Sequence, residues 1–335
     1  MKTKILVIGD GGWGTALAIL ARGLGHEVGL WSHDPAYARV LQETRCNPKF
    51  LPGIELPAGI TVSCDFPVLA EGAEIILSVV PTQFVRRVLD RIGPQIPPKA
   101  ILVSCSKGIE LGTLLLPSAI LRERMGPRPL AVLSGPSHAE EVARGLPASV
   151  VVASEDVDTA RRILEALSGP RFRIYTNPDP LGVETAAAVK NVIALAAGMA
   201  DGLQLGDNAR AALITRGAME ISRLVAALGG RWETFMGLAG IGDLITTCTS
   251  RHSRNRSVGQ RIGEGETLEI ILRSTEKVPE GVETTRALLE LSRKAGVDMP
   301  ITREVHAILF EGKPPTLAVR SLMTRSAKEE FGDTG

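Results

Sequence analysis

The chain has 335 residues, of which 44% are hydrophobic and 22% charged, and its formal net charge is +1. This length is typical of about two domains, and the composition predicts packed cores and excludes a largely disordered chain. Because a nearly neutral chain has no excess of basic residues for a polyanion, we expect no nucleic-acid partner and only small, locally bound anions.

In chain order, the first half alternates short apolar, β-branched runs with amphipathic stretches. The predicted strands are Lys4–Ile8, Glu27–Trp31, Ile60–Ser63, Glu74–Val80, Ala100–Cys105, Leu130–Leu133, Ser149–Ala153 and Arg171–Thr176. The helical stretches between them include Thr15–Leu24, Thr82–Ile92 and Leu114–Met125. Strands this apolar, separated by helices, predict a parallel sheet that is covered on both faces.

The first predicted strand leads directly into a glycine-rich turn. Gly9, Gly11 and Gly14 match G-x-G-x-x-G, the fingerprint of a dinucleotide site, in which glycines allow a tight turn, approach of the pyrophosphate and close helix packing. The motif alone is weak evidence in a chain with 35 glycines. Its position between a strand and a helix, with a second strand ending about 20 residues later, indicates an NAD or NADP site.

The segment after the second predicted strand bears on the choice between these cofactors. An acid there usually binds the ribose 2′-hydroxyl of NAD, whereas the 2′-phosphate of NADP needs basic or hydroxyl donors. Here Ser32 and His33 precede Asp34, and Asp34 followed by Pro35 is typical of a helix N-cap. The sequence therefore favours NADP without excluding NAD.

From about Pro180 the pattern becomes helical. The predicted helices are Leu181–Ala200, Asn208–Leu228, Ser253–Ile262, Leu268–Leu272, Gly281–Ala295 and Ile301–Phe310. We therefore expect residues 1–178 to form an α/β, Rossmann-type, doubly wound parallel-sheet domain that binds the dinucleotide. Residues 179–335 are expected to form an all-α domain that binds the substrate and holds the catalytic group.

Neither a membrane segment nor a metal site is expected. The apolar stretch 185–202 is interrupted by Lys190, Asn191 and Asp201, which is typical of a buried helix, and Lys4–Ile8 is too short for a signal peptide. The cysteines and histidines show no metal-ligand spacing. We expect reduced thiols in a cytoplasmic protein; Cys105 has no neighbouring His or helix start that would activate it as a nucleophile.

Lys190 is the most informative single residue. Its neighbours three and four positions away are Ala186, Ala187, Ile193 and Ala194. An ammonium group on such a face is desolvated, which lowers its pKa towards a useful acid/base value. The alternative is a lysine that extends from the helix edge into solvent.

Two candidate groups follow predicted strands at their carboxyl ends, where open α/β sheets bind ligands. Lys107 follows Ala100–Cys105, and the segment Ser134–Ala139 follows Leu130–Leu133. Gly135, Pro136 and Ser137 could provide a turn, a hydroxyl group and free amides at a helix start. The alternative for each is an ordinary loop.

The segment Ser250–Arg256 contains three arginines in seven residues. Guanidinium groups with hydroxyl and amide donors suit a phosphate, and the alternative is a solvated basic loop. Asp243 could orient Lys190 or bind a substrate hydroxyl, or it could simply cap a helix.

Taken together, these segments resemble the bacterial type of NAD(P)-dependent sn-glycerol-3-phosphate dehydrogenase from Val7 to about Ser326. The motifs that match, in order, are 7–16, 47–52 (Asn-Pro-Lys-Phe-Leu-Pro), 79–81, 106–108, 133–136, 188–192, 237–243, 253–256, 279–281 and 299–302. Several such motifs in order are far more specific than the glycine turn.

The resemblance implies reversible interconversion of dihydroxyacetone phosphate and sn-glycerol 3-phosphate by a homodimer that supplies glycerophospholipid synthesis, with Lys190 as the general acid/base. The substrate would lie against Lys107, Gly135, Ser137, Lys190, Asp243, Ser253, Arg254 and Asn255. NADP or NAD would contact Gly9, Gly11, Gly12, Trp13, Gly14, His33, Phe84, Lys107, Ala139, Arg254, Val278 and Glu280.

Two residues depart from the pattern of that family, and two other functions stay open. Trp13 stands where many members have Tyr or Phe, and His138 where Phe is frequent. A β-hydroxyacid dehydrogenase shares the two-domain plan but would have Asn four residues after its lysine, whereas Asn191 is adjacent here. A sensor that binds NADP without turnover would need neither Lys190 nor the arginines at 251–256.

Overall fold

The computed structural model describes residues 2–274, 279–326 and 329–330. Residues 4–177 contain an eight-stranded sheet and a short hairpin. The strands of the sheet are β1 (Lys4–Ile8), β2 (Glu27–Trp31), β5 (Ile60–Ser63), β6 (Ile75–Ser78), β7 (Ile101–Ser104), β8 (Leu130–Ser134), β9 (Ala148–Ala153) and β10 (Phe172–Asn177). The hairpin consists of β3 (Cys46–Asn47) and β4 (Leu51–Glu55).

The strand order in the sheet is β10-β9-β8-β7-β6-β1-β2-β5. β1 pairs in parallel with β2 on one side and with β6 on the other, so the chain changes direction across the sheet at β1. In open α/β sheets the crevice at the carboxyl ends of two such strands is where ligands bind.

The parallel arrangement extends over six strands but not over all eight. β9 pairs antiparallel with β8, and β10 runs parallel to β9, so the predicted parallel sheet is mainly parallel with one antiparallel pairing. The connection from β8 to β9 contains only a five-residue helix, Ala139–Ala143. Such a helix is about 7.5 Å long, too short to return along a five-residue strand of about 17 Å.

Helices cover both faces of the sheet. They are α1 (Gly12–Gly23), α2 (Pro35–Thr44), α3 (Phe66–Ala70), α4 (Thr82–Ile92), α5 (Pro117–Met125), α6 (Ala139–Ala143) and α7 (Val157–Leu167). In β1, Ile5 and Val7 pack into the core that contains α1 and α7, whereas Leu6 and Ile8 pack into the core under α3–α5. Burial on both faces explains why the strands are continuous apolar runs.

The described residues from Pro180 onward are mainly helical, as the sequence predicted. They are α8 (Pro180–Gly202), α9 (Gly206–Ala227), α10 (Trp232–Phe235), α11 (Asp243–Thr249), α12 (Arg254–Gly263), α13 (Leu268–Arg273), α14 (Glu280–Lys294), α15 (Pro300–Phe310) and α16 (Pro315–Met323). A π-helical turn, Leu238–Gly242, precedes α11. Within the described chain, only α8 is long and apolar enough to cross a membrane, and 89% of its most apolar window is buried inside the protein.

The helices α8 and α12 are in direct backbone contact. A Cβ atom added to Gly198 would lie 1.9 Å from the carbonyl oxygen of Arg256, and one added to Gly259 would lie 2.0 Å from that of Leu195. No side chain larger than hydrogen fits at these crossings. This contact holds the start of α12 beside the middle of α8.

Candidate active site

The glycine turn has the shape that a dinucleotide needs. Gly9 has φ +111°, and a Cβ atom there would lie 2.7 Å from the carbonyl oxygen of Val79. A Cβ atom on Gly14 would lie 1.9 Å from the oxygen of Gly9. By contrast, a Cβ atom on Gly11 would have no neighbour within 4 Å. Gly11 therefore leaves open space in front of the first amides of α1, where a pyrophosphate is favoured.

Four polar atoms that have no hydrogen-bond partner within the described residues lie at the end of β8 or on the segments that follow β1, β6 and β8. They are Trp13 Nε1, Thr82 Oγ1, Ser134 Oγ and His138 Nε2, all buried. Buried polar atoms are ordinarily hydrogen-bonded, so orphaned ones indicate the place of a polar ligand. Their position at the carboxyl edge of the sheet, together with the open space at Gly11, fits a bound dinucleotide.

The other predicted cofactor residues lie around the same edge. His33 is exposed just after β2, and Phe84 on α4 is 48% exposed with the guanidinium of Arg87 5.4 Å from its ring centre. Ala139 begins α6, which packs on α1, so it lies beside Gly12. Val278 is outside the described residues.

Glu280 connects the helical half of the chain to this edge. It begins α14, and its carboxylate accepts a hydrogen bond from the backbone N–H of Thr82 at the start of α4. Burial raises the pKa of Glu280, although Arg254 and Lys107 nearby oppose the shift. Two segments that are almost 200 residues apart in sequence thus line the same cleft.

Lys190 lies in the middle of α8 and is only 5% exposed. Its Nζ donates to Asp243 Oδ1 at 2.5 Å and to Thr247 Oγ1 at 2.7 Å. Burial lowers its pKa to about 8, although the carboxylate of Asp243 acts against the shift. The prediction of a desolvated lysine is therefore confirmed, and the alternative of a lysine that extends into solvent is wrong.

Asp243 connects two lysines from opposite sides of the cleft. Its Oδ2 accepts a hydrogen bond from Lys107 Nζ at 2.7 Å, while its Oδ1 accepts from Lys190. Burial alone would raise the pKa of Asp243, but the two ammonium groups outweigh it and hold that pKa below its ordinary value. One buried carboxylate between two lysines leaves the group with a net positive charge, which favours an oxyanion nearby.

The loop after β8 completes this side of the cleft. Gly135 has φ +145°, and its carbonyl oxygen accepts from Lys107 Nζ at 3.2 Å and from Ser137 Oγ at 3.0 Å. His138 follows, 5.7 Å from the ring of His252, and burial together with Lys190 lowers its pKa. A neutral His138 adds no charge to the site, so it can replace the Phe that the resembling family often has at this position.

The start of α12 brings together groups that could bind an anion. Ser253 is the N-cap, its Oγ accepting from the N–H of Arg256, and the Arg254 side chain is exposed. In the described part of the chain, the N–H groups of Arg254 and Asn255 donate to no other group. Asn255 Oδ1 accepts from the N–H of Gly281 at 3.1 Å. Free amides at a helix start next to a guanidinium suit a phosphate.

The three arginines of this segment are not equivalent. Arg256 pairs with Asp201 at 2.7 Å and holds α12 to the end of α8, so it is structural. Arg251 is exposed in the loop before the helix. Of the three arginines, Arg254 is therefore the one that remains a candidate phosphate ligand, together with the backbone amides at the start of α12.

Sequence reasoning missed two residues that hold the site together. Thr247 lies four residues after Asp243 on α11, so both face Lys190, and this spacing was the available signal. Glu184, on α8, is completely buried and accepts hydrogen bonds from Ser104 Oγ at 2.6 Å and from the N–H of Ser118 at 3.0 Å. It ties α8 to the end of β7, three residues before Lys107.

The described residues thus bring together a buried lysine, a second lysine bonded to the same carboxylate, and a capped helix start with an exposed arginine. Comparison with known proteins identifies the family to which the chain belongs. Residues 4–160 match the N-terminal and residues 179–320 the C-terminal family model of NAD-dependent glycerol-3-phosphate dehydrogenase. The chain belongs to the glycerol-3-phosphate dehydrogenase family.

Individual relatives agree over nearly the whole chain. The glycerol-3-phosphate dehydrogenases [NAD(P)+] of Moorella thermoacetica and Prosthecochloris aestuarii are 49% and 48% identical to it over 330 residues, 98% of this chain and 98% and 99% of theirs. The crystal structure of glycerol-3-phosphate dehydrogenase from Coxiella burnetii matches with a TM-score of 0.93 and 41% identity, covering 97% of this chain and 99% of that one.

These matches confirm the predicted family, the oxidoreductase class and the use of NAD or NADP. They decide against a β-hydroxyacid dehydrogenase and against a sensor without turnover.

Proposed function

We propose that this protein interconverts dihydroxyacetone phosphate and sn-glycerol 3-phosphate, with Lys190 as the general acid/base. The observation that supports the proposal most strongly is the hydrogen-bonded group formed by Lys190, Asp243 and Lys107. The substrate domain is proposed to be residues 179–335 and the dinucleotide domain residues 1–178.

When bound, the nicotinamide cofactor supplies a hydride to C2 of the ketone or accepts one from C2 of the alcohol. The Lys190 ammonium then donates a proton to the oxygen on C2, and in the reverse direction neutral Lys190 accepts the proton of the hydroxyl group. Asp243 and Thr247 hold Nζ in place, and Lys107 adds positive charge beside the developing oxyanion.

The phosphate is proposed to bind at the start of α12, to Arg254, Asn255 and Ser253. Gly135 and Ser137 would line the opposite side of the substrate. The cofactor is proposed to lie along Gly9, Gly11, Gly12, Trp13 and Gly14, with His33, Phe84, Lys107, Ala139, Arg254, Val278 and Glu280 around it.

Activity should depend on pH in opposite ways in the two directions. Lys190, with its pKa lowered to about 8 by burial, is protonated below that pH and neutral above it. We expect kcat/KM for ketone reduction to fall as the pH rises through about 8, and kcat/KM for alcohol oxidation to rise through the same value. The phosphate's second pKa of about 6 leaves its charge constant in this range. Two steady-state pH profiles test this, and a reduction profile that stays flat would exclude Lys190 as the donor.

Removal of the phosphate ligand should act on substrate binding. Arg254→Ala is expected to raise the KM for dihydroxyacetone phosphate by about 10–100-fold, because a hydrogen bond to a charged group contributes about 1.5–3 kcal/mol. The matched control is Arg251→Ala, which removes an exposed arginine three residues earlier, in the loop before α12. The proposed phosphate site is wrong if both variants raise the KM equally, or if Arg254→Ala impairs reduction of unphosphorylated dihydroxyacetone to the same extent.

A cytoplasmic location, a homodimer and a role in supplying glycerophospholipid synthesis are also part of the proposal, and they rest on the family resemblance. Sedimentation equilibrium of the purified protein measures the oligomeric state directly. A single monomeric species at micromolar concentration would remove the dimer from the proposal.

A further inference from the structure

The residue between the first two glycines of the turn is an aspartate, and its side chain is built into the site. Asp10 is 6% exposed, and its Oδ2 accepts a hydrogen bond from Ser32 Oγ at 2.6 Å. Its backbone oxygen accepts from Asn47 Nδ2 at 2.7 Å and from Thr15 Oγ1 at 3.2 Å. Both the side chain and the backbone oxygen of Asp10 are therefore held by polar groups of the protein.

Ser32 occupies the position directly after β2, which contacts the adenosine ribose in many domains of this fold. It directly follows β2, where NAD-binding domains of this type usually have the acid that accepts the ribose 2′-hydroxyl. In this chain β2 is followed by the hydroxyl group of Ser32. The carboxylate of Asp10, which belongs to the glycine turn, lies beside that hydroxyl group. Asp34, the other acid nearby, uses its Oδ1 to accept from the N–H groups of Ala36 and Tyr37 at the start of α2.

Charge at this place favours a hydroxyl ligand over a phosphate. Among the described residues, the hydrogen bond recorded for the Asp10 carboxylate comes from the hydroxyl group of Ser32, not from a lysine, arginine or histidine. The three residues after β2 are Ser32, His33 and Asp34, without the arginine that accommodates a 2′-phosphate. A phosphate beside this carboxylate would bring two like charges together in a poorly solvated place.

We propose that Asp10, held by Ser32, is the ribose acid of this enzyme and makes it select NAD over NADP. The carboxylate accepts a hydrogen bond from the adenosine 2′-hydroxyl of NAD and repels the 2′-phosphate of NADP. This reverses the preference for NADP that the segment after β2 suggested from sequence alone.

The test is direct binding without substrate, so its result does not depend on the role of Lys190. In isothermal titration calorimetry of the wild-type protein, we expect the Kd for NADH to be at least about tenfold lower than the Kd for NADPH. Asp10→Asn, which keeps the shape and removes the charge, should shift the ratio of the two Kd values towards NADPH by about tenfold or more. Adenosine 5′-monophosphate and adenosine 2′,5′-bisphosphate, used as fragments, should show the same shift.

Two further variants serve as a second test and as a control. Ser32→Ala releases the carboxylate without removing it and should shift the ratio in the same direction by a smaller factor; it carries the test if Asp10→Asn does not fold by circular dichroism. Asp34→Asn is the matched control and should change the ratio by less than Asp10→Asn. The proposal is overturned if wild-type protein binds NADPH as tightly as NADH, if folded Asp10→Asn keeps the wild-type ratio, or if Asp34→Asn shifts the ratio as much.

Discussion

Replacing Lys190 with alanine is expected to lower kcat for dihydroxyacetone phosphate reduction by about 10²–10⁴-fold, the usual contribution of general acid/base catalysis. Cofactor binding should survive, because the glycine turn and the groups around it lie in another part of the cleft. The variant should also fold, since Asp243 keeps its ion pair with Lys107 after Lys190 is removed. The measurement is steady-state kcat together with the Kd for NADH by titration.

A second variant distinguishes the loss of the transferable proton from the loss of side-chain packing. Lys190→Met fills nearly the same volume in α8 without a charge or a proton, so it should lose as much kcat as the alanine variant. Small primary amines added to Lys190→Ala should restore part of the activity, because they can occupy the space and donate the proton. Near-normal turnover in either variant, with intact NADH binding, would show that Lys190 is not the acid/base.

Replacing Asp243 with asparagine is expected to cost stability as well as activity. Asp243 is 2% exposed and neutralises two ammonium groups, and removing one partner of a buried ion pair typically costs about 3–5 kcal/mol. Without the carboxylate, the pKa of Lys190 should fall further below its value of about 8, because Asp243 is what opposes the effect of burial. At neutral pH more of Lys190 would then be neutral, and ketone reduction should fall further than alcohol oxidation.

The sign of the pH effect on stability follows from that shift. A lysine whose pKa is lower in the folded than in the unfolded chain destabilises the fold below the folded pKa, and this penalty disappears as the pH rises to the unfolded value. In Asp243→Asn the penalty grows, so the stability deficit at neutral pH should shrink at high pH. Urea unfolding at two pH values measures it.

The control for Asp243→Asn is Asp158→Asn, which removes an exposed carboxylate paired with Arg161. Such surface pairs contribute little, so its unfolding midpoint should stay close to that of the wild type. If Asp243→Asn matched this control in stability and kept the wild-type pH profile, the buried group would have no energetic role.

Much of the fold could be predicted because its strands are buried on both faces. Apolar runs such as Lys4–Ile8 and Glu27–Trp31 have no polar alternation that would obscure their ends, and the structure has both strands with these bounds. The hairpin of β3 and β4 was missed because Pro52 and Gly53 within Leu51–Glu55 argue against a strand. The reversal at β9 depends on the length of a connection, which strand patterns do not report.

The site was predicted in its parts but not in its connections. The apolar neighbours of Lys190 indicated burial, yet its partner Asp243 lies 53 residues later on another helix. Spacing along the chain cannot show that pairing, nor that Arg256 is engaged by Asp201 while Arg254 is exposed. The hydrogen bond between Asp10 and Ser32 likewise depends on β1 and β2 being neighbours in the sheet.

The central claim is that this cleft reduces a phosphorylated ketone, and one assay tests it most directly. NADH oxidation by the purified protein is followed with dihydroxyacetone phosphate and with unphosphorylated dihydroxyacetone, and the alcohol formed is quantified. We predict one sn-glycerol 3-phosphate per NADH, with kcat/KM at least about 100-fold higher for the phosphorylated ketone. Equal kcat/KM for the two ketones, or no oxidation of NADH or NADPH with dihydroxyacetone phosphate, would contradict the account.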